Sequence, residues 1–233
     1  MKLAVIIPVY NAENTIRKAV KSIDTTHDVE IICINDGSTD RTKQVLTELQ
    51  KEVKHLIVYH QDNQGAAKSR NMGLSAMSDD IDAFMFLDAD DQFLPGKMDQ
   101  MIQYYEKNDH LDIVIGQIGR GMHGDWKVIP THEDIHREAM VSLAEAPEIL
   151  QSIGPGGKLF KAKFNTLRFD EDVVFCEEHT FVTRAYLMSR DIQLVPFIVY
   201  GYNEREGSIT DQRADTFISV SYTHLRAHET RGN

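Results

Sequence analysis

The sequence predicts an α/β protein with a mixed, mostly parallel central sheet flanked by helices. Two observations support this fold class. Short apolar runs alternate with amphipathic helical segments through residues 3–115 of the 233-residue chain, which is the pattern of parallel strands joined by right-handed crossovers. Polar clusters also follow four successive apolar runs. Because ligands of open α/β sheets bind beyond the carboxyl ends of strands, these four clusters are expected to meet at one site.

The elements of the first half follow from this alternation. We predict buried strands over residues 3–7, 29–34, 56–59, 83–87 and 112–115. Apolar residues at helical spacing predict the intervening helices, over about residues 16–23, around residues 45–49, up to about residue 77, and over residues 95–105.

The second half is less regular. We predict helices near residues 132–143, 147–153 and 177–189, and short strands over residues 192–195 and 198–202. A Gly-Pro-Gly-Gly sequence at residues 154–157 predicts a sharp turn. Residues 220–233 lack periodicity and resemble a translated sequencing-library adapter, so they are expected to be a non-native tail. The native protein is then expected to continue beyond Ser219.

Composition excludes several classes of protein. A formal net charge of −11 argues against a nucleic-acid-binding protein, which needs a broad basic face. The two cysteines exclude a disulfide framework and favour a reducing compartment. The chain shows neither a signal peptide nor an apolar run of the length of a membrane span. The expected location is therefore cytoplasmic.

The fourth polar cluster, Asp88-Ala89-Asp90, predicts a metal site. Alternate residues of an extended chain point the same way, so both carboxylates can face one ion. Hard oxygen ligands suit Mg²⁺ or Mn²⁺, which typically hold a substrate diphosphate. The chain has no Gly-x-Gly-x-x-Gly after the first strand and no Gly-x-x-x-x-Gly-Lys-Ser/Thr loop. Dinucleotide-binding and phosphate-loop folds are therefore excluded.

These motifs resemble glycosyltransferase family 2. The resemblance extends over about residues 3–210, in the segments 6–11, 35–40, 65–73, 86–91, 158–160, 177–181 and 205–210. It implies the GT-A fold with one domain over residues 1–219. Residues 1–115 would form a Rossmann-like half that binds the nucleotide sugar. Residues 116–219 would form an acceptor half.

The resemblance also implies roles for individual residues. In the donor site, Asp36 would accept a hydrogen bond from uracil, and Arg70 would approach the nucleotide. Lys158 and Arg205 would contact phosphate or acceptor. The predicted substrate-binding set is Pro8, Tyr10, Asn11, Glu13, Asp36, Asn63, Gly65, Arg70, Asp88, Ala89, Lys158 and Arg205. The predicted metal ligands are Asp90 and Asp88, with Mn²⁺ or Mg²⁺ as cofactor.

The pair Glu177-Glu178 stands where the family usually has Glu-Asp. The resemblance makes these the catalytic residues, with Glu178 as the general base for an inverting transfer. A helix start favours an ionised carboxylate there. Glu178 in place of aspartate adds a methylene group and can displace the base by about 1 Å, which can cost on the order of 10²-fold in rate.

The resemblance implies an enzyme that transfers a hexosyl or N-acetylhexosaminyl group from a UDP-sugar. The acceptor would be a hydroxyl of a glycan, a lipid-linked molecule or a polymer, such as a bacterial cell-surface polysaccharide or teichoic acid. Peripheral association with the inner face of the membrane and the oligomeric state stay open. Two alternatives also stay open: a donor-binding relative with little or no activity, and a nucleotidyltransferase, although the glycine-rich basic loop of the latter is missing. A protein that serves only to interact with partners would not explain why polar clusters follow four strands.

Overall fold

The computed structural model describes residues 1–122, 124–173 and 176–203. In chain order, strands β1 to β10 are Lys2–Val9, Asp28–Asp36, Leu56–Gln61, Ala83–Phe86, Gln92–Phe93, Ile113–Met122, Asp125–Val128, Ala139–Val141, Lys158–Lys161 and Ile192–Asn203. Helices α1 to α5 are Ile16–Lys21, Thr42–Glu52, Ala66–Ala76, Lys97–Lys107 and Glu177–Met188. Short 3₁₀ helices lie at Pro130–His132, Pro147–Gln151 and Ala162–Thr166. Met1–Tyr202 form one compact unit.

The strands form one mixed sheet in the order β3-β2-β1-β4-β9-β6-β10-β5, with β7 paired to β6 and β8 paired to β10. Strand β1 is parallel to β2 and β4, and β2 is parallel to β3. Strand β9 is antiparallel to both β4 and β6, so β6 runs in the same direction as β4. The prediction of a mixed, mostly parallel sheet is therefore confirmed.

Both faces of the sheet are buried. Along β1, Leu3, Val5 and Ile7 belong to one hydrophobic cluster, while Ala4 and Ile6 belong to another. Helices α1, α2 and α4 supply residues to the first cluster, and α3 and α5 supply residues to the second. A strand that is buried on both faces is apolar along its whole length, which explains why residues 3–7 could be recognised as a strand.

The second half departs from the predicted elements. The predicted helix over residues 132–143 is wrong: this segment contains the end of a 3₁₀ helix and strand β8. Strand β8 forms because its backbone pairs with β10, where Val141 lies opposite Ile192. The predicted helix over residues 147–153 is a 3₁₀ helix, and the two predicted C-terminal strands are one strand, β10.

In the part of the chain that the structure describes, no helix is both long enough and apolar enough to cross a membrane.

Candidate functional site

The polar segments after β1 and β2 are joined by hydrogen bonds. Asn11, whose φ is 46°, donates its backbone N–H to Ser38 Oγ at 3.0 Å and accepts the Thr39 backbone N–H at Oδ1 at 2.8 Å. Asparagine is among the residues that adopt positive φ most readily. Glu13 Oε2 accepts the Arg41 backbone N–H at 2.8 Å. The structure therefore brings the first two predicted clusters together.

The carboxylate of Asp36 joins the end of β2 to the loop between β3 and α3. Asp36 is 4% exposed. Its Oδ1 accepts from Gln61 Nε2 at 2.6 Å and from the Gln64 backbone N–H at 2.8 Å, and its Oδ2 accepts the Gly65 backbone N–H at 2.8 Å. Asp36 therefore positions this loop, a role that the resemblance did not imply.

Gly37 allows the same loop to approach closely. Its φ is 67°, and a Cβ at this position would lie 2.6 Å from the backbone nitrogen of Asn63. Only glycine accommodates both the left-handed conformation and this contact. Asn63 and Gly65 are thereby placed next to the end of β2, where the sequence predicts the nucleotide.

Arg70 lies at the centre of an acidic cluster. Its side chain is 5% exposed and stacks over Phe169, with 5.4 Å between the guanidinium carbon and the ring centroid. Arg70 Nη2 donates to Asp88 Oδ1 at 2.9 Å, and Nη1 donates to Glu177 Oε1 at 3.1 Å. Burial lowers the pKa of Arg70, but the negative charges of Asp88, Glu178 and Glu177 have the larger effect, so the pKa is raised. The guanidinium thus joins α3, the end of β4 and the start of α5.

Glu177 and Glu178 lie in the first turn of α5. Burial raises the pKa of Glu178, and the negative charges of Glu177 and Asp88 act in the same direction, whereas the Arg70 guanidinium opposes them. A raised pKa makes a carboxylate a stronger base than an exposed one, which suits proton removal from a hydroxyl group. The raised pKa is compatible with the predicted role of Glu178 as base, which stays a prediction.

Asp88 and Asp90 flank Ala89 in a turn directly after β4. In the part of the chain that the structure describes, no group of three or more His, Cys, Asp or Glu side chains is arranged to hold a metal ion. Mg²⁺ is, however, commonly bound by one or two carboxylates together with substrate phosphates and water. The Asp88 side chain is 43% exposed, so a cation arriving with a diphosphate could reach it. Carboxylate oxygens are suitable ligands for such an ion, and the metal site on Asp88 and Asp90 stays a prediction.

The structure buries Lys158, so the predicted contact of its side chain with phosphate or acceptor is corrected. Lys158 is fully buried at the start of β9. Its Nζ donates to Ser152 Oγ at 2.6 Å and to the backbone oxygens of Gly154 and Gly156 at 2.5 and 3.4 Å. Sequence reasoning missed this arrangement because a lysine after a glycine-rich turn usually lies at the surface.

Three further predicted residues lie at the same edge of the sheet. Pro8 is in β1, Tyr10 follows that strand, and Ala89 is in the turn after β4. Tyr10 is 52% exposed, which leaves its ring available to a ligand. Arg205 and the tail over residues 220–233 lie outside the described residues.

Tyr200 is a residue of this region that sequence reasoning missed. Its hydroxyl contacts both Asp88 and Asp91 at the turn after β4. Within the sequence, Tyr200 is part of an apolar strand. No local signal could have linked it to the turn, since its partner Asp91 is 109 residues away.

The chain matches a known protein family and two of its named members. A family model described as Glycosyl transferase family 2 matches residues 4–175. The chain is 36% identical over 219 residues to a Staphylococcus aureus protein named as the glycosyltransferase TagX, a match that covers 92% of this chain and 62% of TagX. It is 32% identical over 227 residues to the glycosyltransferase GlyA of Streptococcus pneumoniae, covering 90% of this chain and 31% of GlyA. The chain thus spans less than two thirds of the length of either relative.

Solved structures of S. aureus TarS share the fold. TarS 1–349 in complex with UDP-GlcNAc superposes with a TM-score of 0.77 at 23% identity, covering 89% of this chain and 60% of that chain. The complex with UDP gives a TM-score of 0.76 at 22% identity, covering 88% and 61%.

Proposed function

Because this chain belongs to glycosyltransferase family 2 and has the GT-A fold, we propose that it transfers a sugar from a nucleotide-diphosphate sugar to a hydroxyl acceptor. The observation that supports this most is the cluster around Arg70. There, one guanidinium contacts Asp88 and Glu177, and Glu178 is close enough for its charge to act on Arg70. This cluster supports placing the proposed metal-binding turn and the proposed base in one site.

The proposed reaction is a single displacement. The acceptor oxygen bonds to the anomeric carbon as the bond from that carbon to the diphosphate oxygen breaks. The nucleoside diphosphate leaves with the electron pair, and the configuration at the anomeric carbon is inverted. Glu178 accepts the proton of the acceptor hydroxyl. A divalent cation bound by Asp88 and Asp90 would stabilise the charge on the departing diphosphate.

A UDP-sugar is the proposed donor, carrying a hexose or an N-acetylhexosamine. The TarS structures that share the fold contain UDP and UDP-GlcNAc, which supports this choice. The exposed Tyr10 and the loop held by Asp36 would form the nucleotide pocket. The proposed acceptor is a bacterial cell-surface polysaccharide or teichoic acid, and the proposed location is the cytoplasm.

Release of UDP from UDP-GlcNAc tests the role of Glu178. General base catalysis typically contributes about 10²–10⁴-fold, so Glu178→Gln is expected to lower the rate at least about 10²-fold while UDP binding persists. Glu48→Gln is the matched control, because it neutralises a helical glutamate that pairs with Arg17 at the surface. Equal rates for the two variants would contradict the proposed base.

A donor-binding relative without transfer is the second candidate. The glutamate at position 178 supports this candidate, because the family usually has aspartate there. In that case UDP would bind, UDP-GlcNAc would stay intact, and neither Glu178→Gln nor Glu178→Asp would change the rate of UDP release. An active enzyme whose base is displaced by the extra methylene would instead gain activity in Glu178→Asp.

A further inference from the structure

The hydroxyl of Tyr200 joins the two ends of the turn after β4. Its oxygen accepts the Asp88 backbone N–H at 3.1 Å and donates its proton to Asp91 Oδ2 at 2.8 Å. The Asp91 backbone N–H donates to the Asp88 carbonyl oxygen at 3.0 Å and closes the turn. One buried hydroxyl therefore fixes the first and the last residue of the turn that contains Asp90.

Because of this contact, the acidic side chains of the turn point in different directions. Asp91 is 2% exposed and faces Tyr200, whereas the Asp88 side chain is 43% exposed. A buried carboxylate is costly unless it has a hydrogen-bond donor, and Tyr200 provides one. Asp91 is therefore directed inward, and the proposed function places the cation on the other two carboxylates of the turn, Asp88 and Asp90.

The Tyr200 ring is itself held on two sides. Phe93 contacts it edge to face, with 5.9 Å between the centroids. On another side, a Cβ added to Gly156 would lie 3.1 Å from two ring carbons.

We infer that Tyr200 is a positioning residue for a divalent-cation site formed by Asp88 and Asp90. Its hydroxyl sets the geometry of the turn before the cation and the diphosphate arrive, so that no binding energy is spent on ordering the turn. The inference rests on the proposed function, since that proposal places the cation on these two carboxylates.

Binding of Mn²⁺ to the full chain tests this inference without an activity assay. Free Mn²⁺ is measured by electron paramagnetic resonance during titration of the protein with and without UDP. Loss of a residue that supports metal ligands typically costs about 10–100-fold in metal affinity, so Tyr200→Phe is expected to weaken UDP-dependent Mn²⁺ binding at least about 10-fold. Tyr186→Phe is the matched control, because it removes a buried tyrosine hydroxyl that donates to the Ser152 carbonyl oxygen at 3.0 Å.

A second variant keeps the hydroxyl and displaces the ring. Gly156→Ala places a methyl group against Tyr200 and is expected to weaken Mn²⁺ binding in the same direction, by a smaller factor. The inference is overturned if folded Tyr200→Phe and Gly156→Ala both bind Mn²⁺ as tightly as the wild type. If the wild type binds UDP but takes up no Mn²⁺ with it, the cation site and this inference both fail, while the proposed nucleotide site stands.

Discussion

At the scale of single residues, the site depends on a buried arginine among carboxylates. The planar guanidinium of Arg70 presents two N–H groups to carboxylates from different elements, an arrangement that the compact ammonium of lysine cannot reproduce. Asp88 and Glu177 each lose a charged partner if Arg70 is removed. Removing one partner of a buried ion pair leaves the charge of the other partner without compensation.

Arg70→Met is therefore expected to lower the free energy of unfolding by about 3 kcal/mol. Arg17→Met is the matched control, because Arg17 also contacts two glutamates, Glu48 and Glu52, but at the exposed surface. Exposed pairs contribute less than about 1 kcal/mol each. Urea unfolding of both variants measures the difference, and an equal loss in the two would refute the structural role of Arg70.

The pH dependence of catalysis follows from Glu178. Burial raises the pKa of Glu178 and the Arg70 charge lowers it. The base acts when it is deprotonated, so kcat/KM for UDP release is expected to rise with pH through this raised pKa. In Arg70→Met the rise is expected at higher pH, whereas Arg70→Lys, which keeps the charge, should shift it less. An identical profile in wild type and Arg70→Met would argue against this electrostatic coupling.

At the scale of elements, the donor side of the site depends on the close approach of two loops. Gly37→Ala would place a methyl group 2.6 Å from the Asn63 backbone nitrogen at a positive φ of 67°. Gly96 has a nearly identical φ of 68° but nothing within 4 Å of its missing Cβ. The left-handed conformation alone costs about 1–2 kcal/mol. Gly37→Ala is therefore expected to lower the free energy of unfolding more than Gly96→Ala does.

Calorimetric titration with UDP distinguishes the two glycine variants further. Gly37→Ala is expected to weaken UDP binding, because it moves the loop that Asp36 holds, whereas Gly96→Ala should bind UDP normally. Similar affinities in both variants would show that the loop after β3 does not contribute to the nucleotide pocket.

How much of these elements could be predicted depends on where their stabilising contacts come from. Strands over residues 3–7 and 83–87 are recognisable because burial on both faces makes each of them apolar throughout. Strand β8 is not recognisable from the sequence, because it forms only by pairing with β10, about 50 residues later in the chain. The same reason hid the bond from Tyr200 to Asp91. The partners of Lys158 are near it in the chain, but the sequence of a glycine-rich turn does not show that its carbonyl oxygens face a buried ammonium group.

At the scale of the whole molecule, a buried polar cluster ties the segments of the second half together. Lys158 Nζ and His132 Nε2 both contact Ser152 Oγ, at 2.6 and 2.8 Å. Burial lowers the pKa of Lys158 to about 7 from 10.5. Burial, and then the charge of Lys158, lower the pKa of His132 to about 3. The cluster therefore disfavours positive charge in the folded state.

The free energy of unfolding is expected to rise with pH because of the lowered pKa of Lys158 in this cluster. In the unfolded chain Lys158 keeps its proton up to about pH 10.5, whereas in the folded chain it loses the proton above about pH 7. The unfolded state binds more protons between these values, so Lys158 adds up to about 1.4 kcal/mol per pH unit to the free energy of unfolding there. Urea unfolding at pH 7, 8 and 9 should show a shallower rise in Lys158→Met. Equal slopes would contradict the lowered pKa.

The proposed function requires that the carboxyl edge of the sheet binds a nucleoside diphosphate together with a divalent cation. The most direct measurement is thermal unfolding with UDP, GDP, CDP or ADP, each with and without Mn²⁺, in wild type, Asp90→Ala and the exposed control Asp79→Ala. A ligand at about 100 times its Kd stabilises by roughly 2.7 kcal/mol, a readily visible shift. We expect a shift with UDP that requires Mn²⁺, persists in Asp79→Ala and disappears in Asp90→Ala. Folded wild-type protein whose unfolding no nucleotide shifts would contradict the proposed function.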